Sequence, residues 1–245
     1  MPVVYRNIFA MGTRLDMVFP GINEDVGDHI FSLISSEVFR LEEMLSNYNP
    51  SSLLSRLNKA SLNIPFYPGD ELFDIINELK KFQVSTLGFF NPCIKEKLRT
   101  SHDDQQNKIT DQPDVSEFQN LITNEKDRSV KCITNRILID SGGFGKGYAL
   151  EKIKKVVSDH NIHHAFISFG ESSVLGIGNH PYGESWKISI PDIYTRDSIY
   201  TLQLSNSSLS VSGNTPENRE KYPKGHIFNP FDGKFVEKSG IVCVS

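Results

Sequence analysis

The apolar pattern changes period along the chain, and the changes outline its elements. Residues 3–19 read as extended chain, interrupted by Met11-Gly12-Thr13. Beyond Asn23, Val26, Ile30, Leu33, Ile34, Val38, Leu41, Met44 and Leu45 recur at helical spacing, and Glu24 and Asp25 suit a first turn. This predicts a long amphipathic helix ending near Ser46-Asn47-Tyr48-Asn49-Pro50. A short helix over residues 52–58 follows. A third helix starts at Asp70, with Leu72, Ile75, Ile76, Leu79 and Phe82 on one stripe. All three stripes read as core packing.

Residues 100–131 are polar and read as an exposed insertion or connecting segment. A strand over 132–140 leads into Ser141-Gly142-Gly143-Phe144-Gly145-Lys146-Gly147, and then into a helix with Leu150, Ile153, Val156 and Val157 on one face. From Ala165 onward, short candidate strands at 166–169, 174–177, 186–190, 199–204 and 209–211 alternate with turns. The sum is an α+β fold with antiparallel strands and helices packed on them.

Composition narrows the function. With 245 residues, 38% of them hydrophobic and a net charge of −4, the chain can bury a core and lacks the basic excess of a general nucleic-acid binder. Three scattered cysteines exclude a disulfide scaffold and a zinc site built from cysteine pairs. No stretch approaches the ~18 apolar residues of a membrane span, and the first residues lack a signal-peptide pattern. A cytoplasmic location is expected, the alternative being export and membrane anchoring with the signal removed.

The strand–glycine loop–helix unit at 139–153 carries the strongest local chemistry. Its glycines allow close backbone approach, a helix N-terminus offers N–H groups to phosphate, and Lys146 adds a cation. It is neither a P-loop nor a dinucleotide fingerprint: Asp140 stands where the first P-loop glycine belongs, and Tyr148 where the last fingerprint glycine belongs. A tight packing turn and a phosphate site remain equal readings of this unit alone. His226, between Gly225 and the turn-forming Asn229-Pro230, is a candidate base. The group His160, His163 and His164 reads as helix termination, and Trp186 as core or sheet face.

Taken in order, these segments resemble the ApbE family of FAD:protein FMN transferases. The matching stretches are Met11-Gly12-Thr13, Ser46-Asn47-Tyr48, Ser52 to Asn58, Thr86 to Pro92, Asp140 to Ala149, Ser212-Gly213 and His226 to Gly233. The resemblance covers nearly the whole chain and implies an FAD-binding fold as a single domain over 1–245. It implies that Met11, Tyr48, Phe89, Phe90, Asn91, Asp140, Lys146, His226 and Ile227 meet FAD, that the Gly143 carbonyl meets Mg²⁺, and that His226 and Lys146 serve catalysis. The implied reaction moves FMN from FAD to a threonine or serine hydroxyl of an acceptor flavoprotein and releases AMP.

Three positions depart from the family pattern. Asn91 and Asn229 stand where the family has aspartates, and Asp232 precedes Gly233 in place of threonine. The family pattern also continues, past the strand matched by 241–245, into an Ala-Asp-Ala-x-x-Thr helix that donates side-chain metal ligands. The expectation is a domain with that segment absent. Two alternatives stand beside transfer: a Mg²⁺-dependent FAD pyrophosphatase using the same site with water as nucleophile, and, given the missing segment and the two lost carboxylates, a non-catalytic FAD-binding protein.

Overall fold

A computed structural model describes residues 1–93, 115–133, 137–170, 172–215, 227–231 and 234–245, with backbone alone at 115–117. The chain divides into two units. The first comprises Met1–Glu42, Phe144–His226 and Glu237–Ser245, and the second Glu43–Gly143 and Ile227–Val236. Helices and antiparallel strands together make the α+β class expected from the sequence.

In the first unit, β1 (Val3–Ala10) and β2 (Thr13–Pro20) pair from Val3↔Pro20 to Ala10↔Thr13. The two residues joining them, Met11 and Gly12, both have positive φ (51° and 75°), the turn geometry that suits twisted hairpins. β2 then pairs with β5 (Ala165–Phe169), followed by β6 (Ser173–Ile177), β9 (Ser207–Asn214) and β10 (Gly240–Val244). The result is a six-stranded antiparallel sheet in the order β1-β2-β5-β6-β9-β10.

Alternation along β2 and β5 puts Leu15, Met17, Phe19, Ile167 and Phe169 at zero exposure, with Leu15 opposite Phe169 and Met17 opposite Ile167. Helix α1 (Glu24–Leu45) adds Ile30, Ile34, Val38 and Leu41 to the core. Its first turn comes close to β1 through Gly27, where a Cβ would lie 2.5 Å from Val4 Cγ1. Val26, expected on the buried stripe, is therefore turned out to solvent.

A separate hairpin, β7 (Trp186–Pro191) with β8 (Ser198–Leu204), packs Trp186, Ile190 and Leu204 against Val174 and Leu209 of the sheet. Trp186 donates its indole N–H to the Ile177 carbonyl at 3.1 Å. Gly176 makes room for that ring, since a Cβ there would lie 2.9 Å from Trp186 Cδ1. Trp186 is thus core, as expected.

The second unit contains α2 (Leu53–Asn58), α3 (Asp70–Ser85), a 3-10 helix (Val115–Asn120) and the hairpin β3 (Leu121–Asn124) with β4 (Ser129–Cys132). Leu54, Leu57, Leu72, Phe73, Ile76, Leu79, Phe118, Leu121 and Val130 are buried. Of the polar stretch at 100–131, residues up to 114 lie outside the described residues. The rest folds through Phe118, Leu121 and Val130, and Arg128 lies 4.5 Å from the Phe73 ring centroid while pairing with Asp74 at 2.6 Å.

Two further expectations are corrected. Phe82 is exposed, and α3 instead buries Gln83, whose Oε1 accepts from Gln119 Nε2 at 2.9 Å. The strand expected over 132–140 ends at Cys132, and 134–136 lie outside the described residues. Residues 137–140 are irregular because side chain and loop, not a strand, satisfy their backbone. Asn58 bonds both polar groups of Ile139, and the Asp140 N–H donates to the Pro92 carbonyl at 2.8 Å. Among the described residues, no helix is long and apolar enough to cross a membrane.

Candidate active site

The loop that carries Tyr48 is shaped by short-range hydrogen bonds. Ser46 Oγ accepts from the N–H groups of Tyr48 and Asn49 at 3.2 and 3.0 Å. Ser52 caps α2 by accepting the Ser55 N–H at 2.9 Å, and both serine hydroxyls donate to the Ser46 carbonyl. This packing leaves Tyr48 82% exposed, an aromatic ring presented to solvent without a core role.

The segment 89–92 is set by the end of α3. The chain turns there through Leu87 and Gly88, both at positive φ, with the Gly88 N–H bonded to the Gln83 carbonyl at 2.8 Å. Thr86 donates its hydroxyl to the Phe82 carbonyl at 2.8 Å and accepts the Phe90 N–H at 3.0 Å. One threonine thus stitches the helix end to the aromatic pair. Phe89 remains 68% exposed and meets Phe231 edge-on, with ring centroids 4.8 Å apart. Asn91 Oδ1 accepts the Cys93 N–H at 2.9 Å, an Asx turn that an aspartate would make equally well. The Asn-for-Asp departure therefore preserves this local geometry.

Phe231 meets Phe89 from a segment in which 227–229 bond to 234–236. The Ile227 carbonyl accepts from Val236 N–H, and Asn229 N–H donates to Lys234, both at 2.8 Å. Asn229 Oδ1 accepts the Phe231 N–H at 2.9 Å, again a bond available to aspartate. His226 and the pair Asp232-Gly233 lie outside the described residues.

Asp140 ends the irregular segment that Asn58 holds. Its Oδ1 accepts from Asn47 Nδ2 at 2.9 Å. A 3-10 turn (Ser141–Gly143) follows, anchored by the Ser141 hydroxyl on the Leu45 carbonyl at 3.0 Å. Gly142 keeps this turn close to Asp140, for a Cβ there would lie 3.1 Å from Asp140 Oδ2. Gly143 lies against Phe90, with 3.4 Å from its would-be Cβ to Cε2. The second unit therefore gathers Asn47-Tyr48, Phe89 to Asn91, Asp140 to Gly143 and Phe231 through direct contacts.

Gly143 also bears on the implied metal. Its backbone carbonyl is a hard oxygen donor of the kind Mg²⁺ takes. Among the described residues, no group of three or more His, Cys, Asp or Glu could hold a metal.

The first unit carries the remaining candidates. Met11 occupies the left-handed region at φ 51°, unusual for a long side chain, and its N–H donates to Glu42 Oε1 at 2.9 Å. Met11→Gly is expected to stabilise the protein by about 1 kcal/mol, because glycine carries no left-handed penalty. Thermal unfolding checks this, and a lower midpoint in the variant would contradict it.

Lys146 lies in the first turn of α4 (Gly145–Asp159), a helix with no side-chain cap at Phe144. It is half-buried and donates to Ser172 Oγ at 2.7 Å, and burial pushes its ammonium below the ordinary lysine range. Ser172, which Lys146 meets, is not among the residues singled out from the sequence. Gly170 shapes its approach at φ 52°, where a Cβ would collide with Thr13 Oγ1. The Gly170-to-Ser173 loop beside a lysine-bearing helix start was the available signal. Of the histidine group, His160 does cap α4, with Nδ1 2.8 Å from the Val156 carbonyl.

The sequence pattern of the ApbE family matches residues 11–244. A FAD:protein FMN transferase of Chlamydia muridarum is 27% identical over 84% of this chain and 66% of its own length. That of Buchnera aphidicola is 23% identical over 83% of this chain and 63% of its own. The chain thus spans just under two thirds of these relatives. Among solved structures, the ApbE protein of Thermotoga maritima superposes with a TM-score of 0.79 at 22% identity, covering 99% of this chain and 81% of that one. The flavin transferase ApbE of Vibrio cholerae also gives 0.79, at 16% identity, covering 99% and 82%. With a family pattern running through nearly all of its length and a fold shared with these structures, the chain belongs to the ApbE family.

Proposed function

We propose that the protein transfers FMN from FAD to a threonine or serine hydroxyl of an acceptor flavoprotein and releases AMP. The observation that carries this reading is Lys146. It is a half-buried cation in the first turn of α4, held by a serine and immediately following the Asp140–Gly143 turn in a chain of this family. A partly desolvated lysine suits an anionic ligand, and a helix N-terminus adds N–H groups for the same charge.

In this reading the exposed rings of Tyr48 and Phe89 receive the flavin nucleotide by stacking. Met11, Phe90, Asn91, Asp140 and Ile227 bind and orient FAD. Lys146 and the first amides of α4 hold the pyrophosphate and neutralise charge that builds on it in the transition state. The acceptor hydroxyl forms a new bond to the FMN-side phosphorus while the bridging P–O bond breaks, and the bridging oxygen leaves with AMP. His226 takes the hydroxyl proton, a role assigned here from sequence alone. Mg²⁺, held at the Gly143 carbonyl, would supply further charge neutralisation at the phosphates.

The Lys146 environment fixes a pH dependence. Burial lowers its pKa, and an FAD pyrophosphate beside it raises that pKa again. FAD binding therefore takes up a proton as pH rises past the lowered value, and affinity falls there, before the ordinary lysine range near 10.5 is reached. Fluorescence titration of FAD against pH should show this decline in the parent and a flat profile in Lys146→Met. An identical decline in both would contradict the assignment.

The reading is tested by chromatography of FAD incubated with the protein and Mg²⁺, with and without a threonine-bearing acceptor. AMP release that requires the acceptor supports transfer. Free FMN and AMP without acceptor would instead establish pyrophosphatase activity. Intact FAD in both samples, with FAD bound, would establish a binding protein.

A further inference from the structure

We propose that Ser172 is a positioning residue for the transfer, its hydroxyl fixing where the Lys146 ammonium stands to meet the FAD pyrophosphate. The inference rests on the functional reading above and deepens it by naming a residue that acts through Lys146. Ser172 closes the turn between β5 and β6, and three strands hold that turn. The Gly170 N–H donates to the Arg14 carbonyl of β2 at 2.9 Å. The Ser172 N–H donates to the Phe169 carbonyl of β5 at 3.1 Å, and the Ser172 carbonyl accepts from the Val211 N–H of β9 at 2.8 Å. Both backbone groups of Ser172 are therefore tied to the sheet.

The hydroxyl is tied in the same way. An ammonium carries donors only, so at 2.7 Å Lys146 Nζ donates and Ser172 Oγ accepts. The single hydroxyl proton then turns to the Phe169 carbonyl, 3.3 Å away, which takes the Ser172 N–H on its other lone pair. A chain of donors thus runs from Lys146 through Ser172 to the fully buried end of β5. Lysine has a long flexible stem whose ordering costs entropy. A partner fixed to the sheet orders that stem before FAD arrives, so less entropy is lost on binding. A hydroxyl is also a neutral acceptor, which orients the ammonium without cancelling its charge.

The test is a set of FAD fluorescence titrations on the full chain, with thermal unfolding alongside. Ser172→Ala is expected to weaken FAD binding about tenfold, the cost of one hydrogen bond to a charged group. In a Lys146→Met background the same change is expected to cost no further affinity, because the group it acts through is gone. Losses that multiply in the double variant would overturn the proposal. A hydroxyl that shaped only the loop, or touched FAD itself, would act without Lys146.

Ser172→Thr and Ser172→Val separate the hydroxyl from packing, because the two side chains match in shape and differ in that group. The threonine variant is expected to keep most of the parent's affinity, and the valine variant to bind about tenfold more weakly than it. Equal affinities in the two would overturn the role of the hydroxyl, even with Ser172→Ala too unstable to titrate. Unchanged affinity in Ser172→Ala beside a weakened Lys146→Met would overturn the positioning role and leave the FAD reading standing. Unchanged affinity in Lys146→Met, or no FAD saturation in the parent, would overturn the functional reading and the proposal with it.

Discussion

Lys146→Met is expected to lower kcat/KM for AMP release about 100- to 1,000-fold, the usual cost of deleting one preorganised donor to a developing anion. Methionine keeps the length and most of the stem packing of lysine, so the change removes charge and hydrogen bonding in isolation. The loss divides between weaker FAD binding and a slower chemical step, because pyrophosphate is charged in the ground state and changes its charge distribution in the transition state. Folding moves the other way. The folded-state pKa of Lys146 lies below its unfolded value, so the charged lysine costs stability below the lowered pKa, and the cost fades as pH rises through it. At neutral pH the variant should unfold at a temperature no lower than the parent. A large activity loss with undiminished stability marks a functional lysine; equal losses in both would mark a structural one.

Phe169→Ala is expected to destabilise the first unit by about 3–5 kcal/mol, the range for deleting a fully buried aromatic side chain. Phe169 has zero exposure, stands opposite Leu15 on β2 and Ser173 on β6, and leaves a hole that its neighbours cannot readily fill. Collapse is limited on one side by Gly170, whose Cα lies against Thr13. For a chain of this size the cost corresponds to a fall in unfolding temperature on the order of 10 °C. Phe169→Leu, which keeps most of the volume, should cost less than half as much. The carbonyl of Phe169 also accepts from Ser172 N–H and hydroxyl at 3.1 and 3.3 Å. Disorder at this point would therefore reach the partner of Lys146. Calorimetry of the three proteins checks the ordering, and a Phe169→Ala protein as stable as Phe169→Leu would contradict it.

Much of this architecture was legible because period and punctuation agreed. The α1 stripe, the helix after Asp70 and the turn at Met11-Gly12 all follow from spacing that only one local structure satisfies. The candidate residues were singled out through ordered motifs, and the structure shows what holds several of them in place. Thr86 ties Phe90 to α3, Gly142 stands by Asp140, and Gly143 lies against Phe90.

What the sequence did not disclose depends on partners far away along the chain. The run at 132–140 has strand composition, yet Asn58 and Pro92 take the backbone bonds that a neighbouring strand would have taken. Ser172 looks like any turn serine until Lys146 reaches it at 2.7 Å. Gln83 is buried where Phe82 was expected because Gln119 supplies its partner. In each case propensity was read correctly and a tertiary hydrogen bond decided the outcome.

The measurement that bears most directly on the account is mass spectrometry of a threonine-containing acceptor flavoprotein after incubation with the protein, FAD and Mg²⁺. The account predicts FMN joined to the acceptor threonine through a phosphoester, with one AMP released per label, and strong loss of both in Lys146→Met. An acceptor that stays unlabelled while FAD is bound or hydrolysed would contradict the proposed transfer.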